Sequence, residues 1–331
     1  MRPKKHPERL MVALPVVGIL ALLSLLLFVS IASGKEWGRV LLNASHGPIF
    51  AGVAVLLGFL LARGRRRREP PGWPDWAVYV QSLAISVALG VLIEFLQGFQ
   101  GRPPSLFDVM TDTAGALAGL SAWSLVSRPE AGQPKAFARG NPRLVIALGL
   151  AGAAFVLWWP IQVATAYAHR AAVFPAIADF SNPRGLDFVT TDGLGAAIAD
   201  LPAPWSAQAG ERALEIRYDP SHPPAVQFVE PQGDWRGFSV FAVDLTNSSP
   251  AELSLVLRIL DATHDWSHED RLNLPVTIAP LTRTTVRVAL PAIEGAPASR
   301  RMDMARIANV MLYGRTPTTS GSLYVSRIWL E

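Results

Sequence analysis

Long apolar runs fill the first half of the chain, and short alternating runs replace them in the second half. Each long run has roughly the 17–25 residues that an α-helix needs to cross a ~30 Å hydrocarbon core. The second run is short, and the fourth is polar at its start. We predict transmembrane helices at residues 11–32, 46–62, 77–96, 108–126 and 144–163.

The second half alternates apolar and polar positions, as strands of half-buried sheets do. Three runs place their apolar side chains on one side in this way: Leu214, Ile216 and Tyr218; Leu253, Leu255, Leu257 and Ile259; and Val286, Val288 and Leu290. Turn-forming stretches such as TNSSPAE and GRTPTTSG separate the runs. Seven or eight short strands in about 155 residues predict an antiparallel β-sandwich or jelly roll, so the fold class is α+β and multidomain.

These patterns divide the chain into segments. In order, they are a cytoplasmic N-terminus at 1–10, a first span at 11–32, a domain with the next three spans at 40–126, a cytoplasmic loop at 127–143, the fifth span at 144–163, a linker at 164–175 and the sandwich at 176–331. Residues 1–34 also fit a cleaved signal peptide, since a basic start and an apolar run precede SIASG. Both interpretations of the N-terminus stay open.

Lys and Arg are distributed unevenly among the connections. Along the chain, the N-terminus and the four connections between spans carry 4, 2, 5, 1 and 4 of them. Because basic connections stay in the cytoplasm, this alternation predicts a cytoplasmic N-terminus and an extracytoplasmic sandwich. The expected location is the inner (cytoplasmic) membrane of a bacterium, with the lipid bilayer as the first partner.

Composition supports this assignment and excludes some classes of site. Half of the residues are hydrophobic, and the mean hydropathy is +0.27, which is high for a soluble protein. The chain has no cysteine, which excludes disulfides, thiolate metal sites and cysteine nucleophiles. Residues 170–331 carry 14 Arg against 18 Asp and Glu, a balance of −4, so no nucleic-acid partner is expected.

Polar residues interrupt the apolar pattern where the third span ends and the fourth begins. Because both ends lie at the outer face in the predicted topology, their side chains gather there with a histidine that precedes the second span. The candidate pocket comprises His46, Glu94, Gln97, Arg102, Asp108 and Asp112. Ionisable groups at membrane depth are usually functional, although a structural ion-pair network explains the same pattern.

Two glycines continue the stripe of the aspartates along the fourth span. Asp108, Asp112, Gly115 and Gly119 recur at helical spacing and share one face. Small residues four apart let a neighbouring helix approach closely. We therefore predict a helix-packing contact at Gly115 and Gly119, just below the carboxylates.

The stretches HGPIFAGVAVLLGF and EFLQGFQGRPPSLFDVMTDTAGALAGL resemble the VanZ-like membrane family. That family is named for a protein associated with low-level resistance to the glycopeptide teicoplanin. The resemblance covers about 40–126 and includes every residue of the candidate pocket and both glycines. Asp112 stands where the family usually has Asn. The resemblance implies a role in the cell envelope.

The second half resembles the galactose-binding-like jelly rolls that serve as carbohydrate-binding modules. The stretches that carry this resemblance are DWRGFSVFAVDLTNSS, LVLRILDATHDWSHEDRLNLPVTI and GSLYVSRIWLE. Its densest polar segment combines one aromatic ring with many donors and acceptors, as sugar sites do. The candidate ligand-binding residues are Asp261, His264, Asp265, Trp266, His268, Asp270 and Arg271.

Two other readings of that segment stay open. One is a plain solvated strand connection, and the other is a metal site built on His264 and His268. The metal site is the less favoured of the two, so our prediction for the chain is no metal and no cofactor. No G-x-S-x-G, H-E-x-x-H, P-loop or dinucleotide motif is present, so enzymatic activity is undecided.

Three functions remain. The leading hypothesis is an envelope protein whose sandwich binds a glycan or glycolipid. The second is a membrane enzyme that acts on a lipid-linked or peptidoglycan precursor, with Glu94 or Asp108 as general base and Arg102 holding an anionic group. The third is a scaffold for a protein partner that the sequence does not identify.

Overall fold

The computed structural model describes residues 6–28, 36–65, 76–126 and 141–331. The chain divides into two compact units, Met1–Gln162 and Val163–Glu331. Residues 1–5 of the predicted N-terminus and residues 127–140 of the predicted loop lie outside the described residues. The stretch SIASG, residues 30–34, at which a signal peptide would be cleaved, also lies outside them.

Long helices make up the described part of the first unit, and the last of them continues into the second unit. They are α1 His6–Phe28, α2 Glu36–Arg65, α3 Trp76–Gly98, α4 Leu106–Val126 and α5 Pro142–Val173. In the described ranges, α1, α2, α3 and α5 are long and apolar enough to cross a membrane. The polar helix α4 is not among them, so a topology of five crossings stays a prediction.

The structure corrects the position of His46, which we predicted to precede the second helix. Helix α2 begins at Glu36, so His46 lies inside it. Polar residues broke the apolar pattern that we used to place the start. The helix accommodates them because Ser45 Oγ donates to the Leu42 carbonyl at 2.6 Å and His46 contacts a side chain of α4.

The predicted linker at 164–175 is also corrected. Most of it continues α5, which ends at Val173. The stretch TAYAHRAAV contains good helix formers, so the helix outlasts its most apolar part. It stops before Pro175, because a residue that precedes proline disfavours the helical conformation.

Helices α2 and α4 meet at a contact between backbones. A Cβ atom on Gly119 would lie 2.5 Å from the carbonyl oxygen of Ala51, and one on Gly115 would collide with the carbonyl of Gly47. On α5, a Cβ on Gly152 would collide with the carbonyl of Ala114. The predicted small-residue stripe of α4 therefore lies against α2.

Large apolar side chains cover much of the helices' outer surface. Leu14, Phe95 and Leu150 are each more than 60% exposed within the described structure. An apolar surface of this extent is what lipid covers in a membrane protein.

The second unit is built of β-strands. They are β1 Ala176–Ala178, β2 Val189–Asp192, β3 Ala196–Asp200, β4 Arg212–Tyr218, β5 Ala225–Val229, β6 Val240–Asn247, β7 Leu253–Asp261, β8 Leu272–Ile278, β9 Thr282–Ala289, β10 Ile307–Gly314 and β11 Gly321–Leu330. A 3₁₀ helix, Pro183–Phe188, precedes β2, and a short helix α6, Leu290–Glu294, follows β9.

The strands form two antiparallel sheets. One has the order β3-β4-β11-β6-β9 with β1 added beside β11, and the other has the order β2-β5-β10-β7-β8. The hairpin β7–β8 is enclosed in sequence by the pair β6–β9, then by β5–β10, then by β4–β11, and successive pairs alternate between the sheets. This nested pairing is that of a jelly roll, as predicted.

The inward-facing residues are those that the alternation predicted, with one exception. Leu214, Ile216 and Tyr218 of β4 are buried, and so is the apolar side of β7. Leu290 is buried too, but it is the first residue of α6 rather than the end of a strand, because Pro291 suits the first turn of a helix.

Replacing Gly119 with Ala should destabilise the helical unit, whereas Gly64→Ala should not. A Cβ at 119 meets the backbone of α2, an overpacking that costs roughly 1–3 kcal/mol. A Cβ at 64 meets nothing within 4 Å, so that variant gains only the higher helix propensity of alanine. Thermal midpoints of the two variants in detergent measure this. Equal shifts would contradict the contact.

Candidate functional sites

The polar residues predicted to gather in the helical unit do so around a histidine–aspartate pair. His46 Nδ1 on α2 lies 2.9 Å from Asp112 Oδ1 on α4. Both side chains are almost completely buried. Asp112 sits above the glycine contact, which draws α2 and α4 close enough for the two side chains to meet.

A second glycine makes room for Asp112. A Cβ on Gly90 of α3 would lie 2.8 Å from Asp112 Oδ2. Because Gly90 has no side chain, this carboxylate can lie directly against α3. The glycine contact between α2 and α4 and the absence of a side chain at Gly90 therefore set the position of the Asp112 carboxylate.

Glu94 and Asp108 are positioned by the first turn of α4. Ser105 precedes that helix, and its Oγ accepts a hydrogen bond from Asp108 N at 3.2 Å, as an N-cap residue does. Ser105 N donates to Glu94 Oε2 at 2.7 Å. One serine therefore ties the end of α3 to the start of α4.

His46, Glu94 and Asp108 each offer one potential ligand atom, and these atoms all lie within 4.8 Å of one another. Several oxygen atoms of the cluster are buried without a hydrogen-bond partner among the described residues. They are Glu94 Oε1, Asp108 Oδ1 and Asp112 Oδ2. Buried carboxylate oxygens without donors are costly, so the cluster has unused capacity to bind.

Gln97 and Arg102 contact α1. Gln97 Nε2 donates to the carbonyl oxygen of Leu26 at 3.2 Å, and Arg102 Nη1 donates to the same atom at 3.4 Å. Leu26 lies in the last turn of α1, where carbonyls have no partner within the helix. These two residues therefore hold the end of α1 beside the cluster.

In the sandwich, Arg300 engages two of the predicted ligand-binding residues. Its guanidinium donates to both carboxylate oxygens of Asp261, at 2.6 and 2.8 Å, and to both of Asp270, at 2.6 and 2.9 Å. Backbone N–H groups occupy the same carboxylates further. Asp261 and Asp270 therefore hold the loop in place rather than offer free oxygens to a ligand.

The charge of Arg300 keeps both carboxyls ionised. Burial raises the pKa of Asp261, but the hydrogen bonds from Arg300 and from Asp303 N outweigh it and hold that pKa below its usual range. Hydrogen bonding to Arg300 also lowers the pKa of Asp270. Because Asp270 is engaged in this way, the neighbouring group of His264, Asp265 and Asp270 is a poor cation site.

The rest of the predicted loop presents one exposed aromatic ring. Trp266 is 76% exposed and has a left-handed backbone, with φ of 69°. Its ring packs against that of His264, with centroids 5.2 Å apart. His264 Nδ1 lies 2.9 Å from the Asp270 carbonyl oxygen, so the ring that supports Trp266 is itself fixed.

The remaining predicted residues play smaller parts. Asp265 Oδ1 accepts a hydrogen bond from Ser267 N at 2.8 Å, and the His268 carbonyl accepts one from Asn273 Nδ2 at 3.1 Å. The Nε of Arg271 is buried without a hydrogen-bond partner among the described residues.

An open groove that the sequence analysis missed lies on the outer face of the five-stranded sheet. Its volume is about 280 Å³. Its lining residues are Thr190, Asp192, Ala225, Val226, Gln227, Arg258, Met311 and Tyr313. Met311 of β10 is paired with Gln227 on one side and with Arg258 on the other, so these three side chains form a row across the sheet.

Hydrogen bonds fix the orientation of the groove's polar side chains. Gln227 Nε2 donates to Asn309 Oδ1 at 2.6 Å, and Arg258 Nε donates to Asn273 Oδ1 at 2.8 Å. The Arg258 guanidinium lies over the ring of Tyr313, 4.5 Å from its centroid. The Tyr313 hydroxyl is buried without a hydrogen-bond partner among the described residues.

A second arginine acts electrostatically on Arg258 of the groove. Burial and the nearby charge of Arg271 both lower the pKa of Arg258. The signal for the groove was present in the sequence. The alternation that assigned Leu257 to the core assigns Arg258 to the opposite face.

Comparison with known proteins finds a family match for part of the helical unit. Residues 10–127 match the family model described as VanZ/LLP1. The VanZ-like resemblance is therefore confirmed, and the match extends over α1, which we had placed outside it. Together with the apolar helices, the match supports a membrane protein. No curated protein matches the chain.

The search of solved structures gives matches over about half of the chain. An exo-β-agarase is similar over 47% of this chain and 24% of its own, with 13% identity and a TM-score of 0.38. A family 11 carbohydrate-binding module from Clostridium thermocellum is similar over 47% and 93%, with 16% identity and a TM-score of 0.33. A CBM28 module specific for non-crystalline cellulose is similar over 48% and 93%, with 13% identity and a TM-score of 0.34.

The Arg300 contacts predict a pH-dependent stability of the sandwich. Both aspartates have pKa values below that of an unfolded chain, about 3.9. Their contribution is therefore fully present above that pKa and is lost as the pH falls through the folded-state values. The thermal midpoint of purified residues 163–331 should fall steeply below about pH 4.

Arg300→Gln should lower that midpoint by several degrees at pH 7 and flatten the acid dependence. Arg287→Gln is the control, since Arg287 forms an exposed pair with Glu331 that contributes little. An Arg300→Gln profile parallel to that of the wild type would contradict the role of Arg300.

Proposed function

We propose that this is a multi-pass protein of the bacterial cytoplasmic membrane whose sandwich binds a glycan or glycolipid of the cell envelope. The VanZ-like helical unit anchors the chain. The alternation of Lys and Arg among the connections supports a cytoplasmic N-terminus and an extracytoplasmic sandwich. A link to the glycopeptide-antibiotic response follows from family resemblance alone.

The observation that carries glycan binding is the chemistry of the groove on the five-stranded sheet. Sugars present many hydroxyl groups, which planar amide and guanidinium side chains bind in fixed directions. Gln227 and Arg258 are such groups, and their own hydrogen bonds hold them in place. The buried Tyr313 hydroxyl has no partner among the described residues, and a ligand hydroxyl would supply one.

The charge of this face indicates the kind of glycan. Arg258 lines the groove, and burial and the charge of Arg271 lower its pKa. An acidic sugar or a phosphate substituent beside Arg258 would form charge-assisted hydrogen bonds. We therefore assign the groove to an envelope glycan whose acidic group meets Arg258 rather than Asp192, the carboxylate that also lines the groove. Trp266, exposed on its fixed loop, is the alternative platform.

Binding of the full-length protein in nanodiscs to an array of acidic and neutral cell-wall glycans tests this. Arg258→Ala and Gln227→Ala should each weaken binding roughly tenfold, equal to about 1.4 kcal/mol, because each removes a fixed donor. Arg287→Ala on the other sheet and Thr277→Ala on β8 are the matched controls.

Each outcome separates the hypotheses. Loss of binding in Trp266→Ala with no change in Arg258→Ala would move the site to the loop. A wild-type protein that binds no glycan on the array would overturn the proposal and favour a scaffold for a protein partner.

A second candidate function comes from the buried cluster of the helical unit. Glu94 and Asp108 have oxygen atoms without donors, and such groups can accept a proton from a substrate. On this alternative, the helical unit is an enzyme that acts on a lipid-linked or peptidoglycan precursor. Glu94→Gln would then abolish a cellular phenotype at a normal protein level, whereas a structural role predicts loss of the protein.

A further inference from the structure

We propose that His46, Glu94 and Asp108 bind a divalent cation, Zn²⁺ or Mn²⁺, in the helical unit and that Asp112 orients His46 toward it. This inference goes beyond glycan recognition and does not depend on it. It rests on the arrangement of four buried or half-buried side chains on α2, α3 and α4.

The ligand atoms converge from three helices. One atom each of His46, Glu94 and Asp108 lies within 4.8 Å of the other two. Bonds of about 2.0–2.2 Å place neighbouring ligands of an ion roughly 3 Å apart or slightly more.

The unpartnered oxygens point independently to a missing positive group. Glu94 is 4% exposed, and its Oε1 has no hydrogen-bond donor among the described residues, although Oε2 accepts one from Ser105 N. Asp108 Oδ1 is in the same situation. A ligating imidazole is neutral, so the three carboxylates bring three negative charges, and a dication would offset two of them where solvent cannot.

The His46–Asp112 contact matches the support that metal-binding histidines receive. A ligating imidazole usually donates its second N–H to a carboxylate, which fixes the ring and its tautomer. Here Nδ1 meets Asp112 Oδ1 at 2.9 Å, which leaves Nε2 as the nitrogen available to an ion. Asp112 is thus a positioning residue, because its carboxylate accepts the Nδ1–H of His46 and fixes the ring.

The ligand set selects the cation. One imidazole and two carboxylates suit Zn²⁺ or Mn²⁺, whereas Mg²⁺ and Ca²⁺ prefer oxygen ligands alone. Three protein ligands leave at least one coordination position open. A phosphate or carboxylate group of a membrane-facing ligand would fit that position.

Metal analysis of the full-length chain in detergent tests the site. The protein is stripped with EDTA, loaded with Zn²⁺ or Mn²⁺ alone and dialysed, and its metal content is measured. The wild type should retain about one ion per chain. Glu94→Gln and Asp108→Asn should retain less than about a tenth of that, since each loses a ligand. Asp112→Asn should keep the site but weaken it roughly tenfold to a hundredfold.

The control is the double variant His268→Gln and Glu269→Gln, which removes exposed ligand types from the sandwich and should bind like the wild type. If a variant fails to fold, the wild type alone decides, because Zn²⁺ or Mn²⁺ should raise its thermal midpoint. A wild type that retains no ion and shows no shift would overturn the proposal. Equal metal content in Glu94→Gln, Asp108→Asn and the wild type would also overturn it.

Discussion

The cost of placing carboxylates inside an apolar helical bundle is the constraint that organises the first unit. Charged groups at membrane depth need partners or water, so they cannot be scattered over lipid-facing surfaces. Here Glu94, Asp108 and Asp112 share one place with His46. The glycine contact between α2 and α4 makes that grouping possible, because it brings the histidine within reach of Asp112. The polar cluster therefore depends on the glycine contact between α2 and α4.

In the sandwich, the densest polar segment is largely structural. Arg300 uses its donors on Asp261 and Asp270, so these two carboxylates fix the loop. The side chains that we propose for ligand binding lie in the groove on the five-stranded sheet, and exposed Trp266 of the loop itself is the alternative. In this segment, a high density of polar residues therefore reflects a structural hydrogen-bond network more than a binding site.

Much of the fold follows from local pattern. Apolar runs predicted the helices, and the alternation in β4 and β7 identified their buried sides. The meeting of His46 and Asp112 was predicted from the helix ends that share one face in the predicted topology. The start of α2 could not be predicted in the same way. A polar side chain inside a helix becomes acceptable only once a partner such as Asp112 is present. The contact of Arg300 with Asp261 could not be predicted either, because the two residues lie far apart along the chain.

The most direct test concerns the side of the membrane on which the cluster opens. The chain has no cysteine, so single cysteines report position without background. An impermeant maleimide applied to intact spheroplasts should label Gln100→Cys, beside the cluster, and Arg301→Cys in the sandwich. It should label Gly64→Cys, at the opposite end of α2, only after permeabilisation. Labelling of Gln100→Cys and Arg301→Cys from opposite sides would contradict the account.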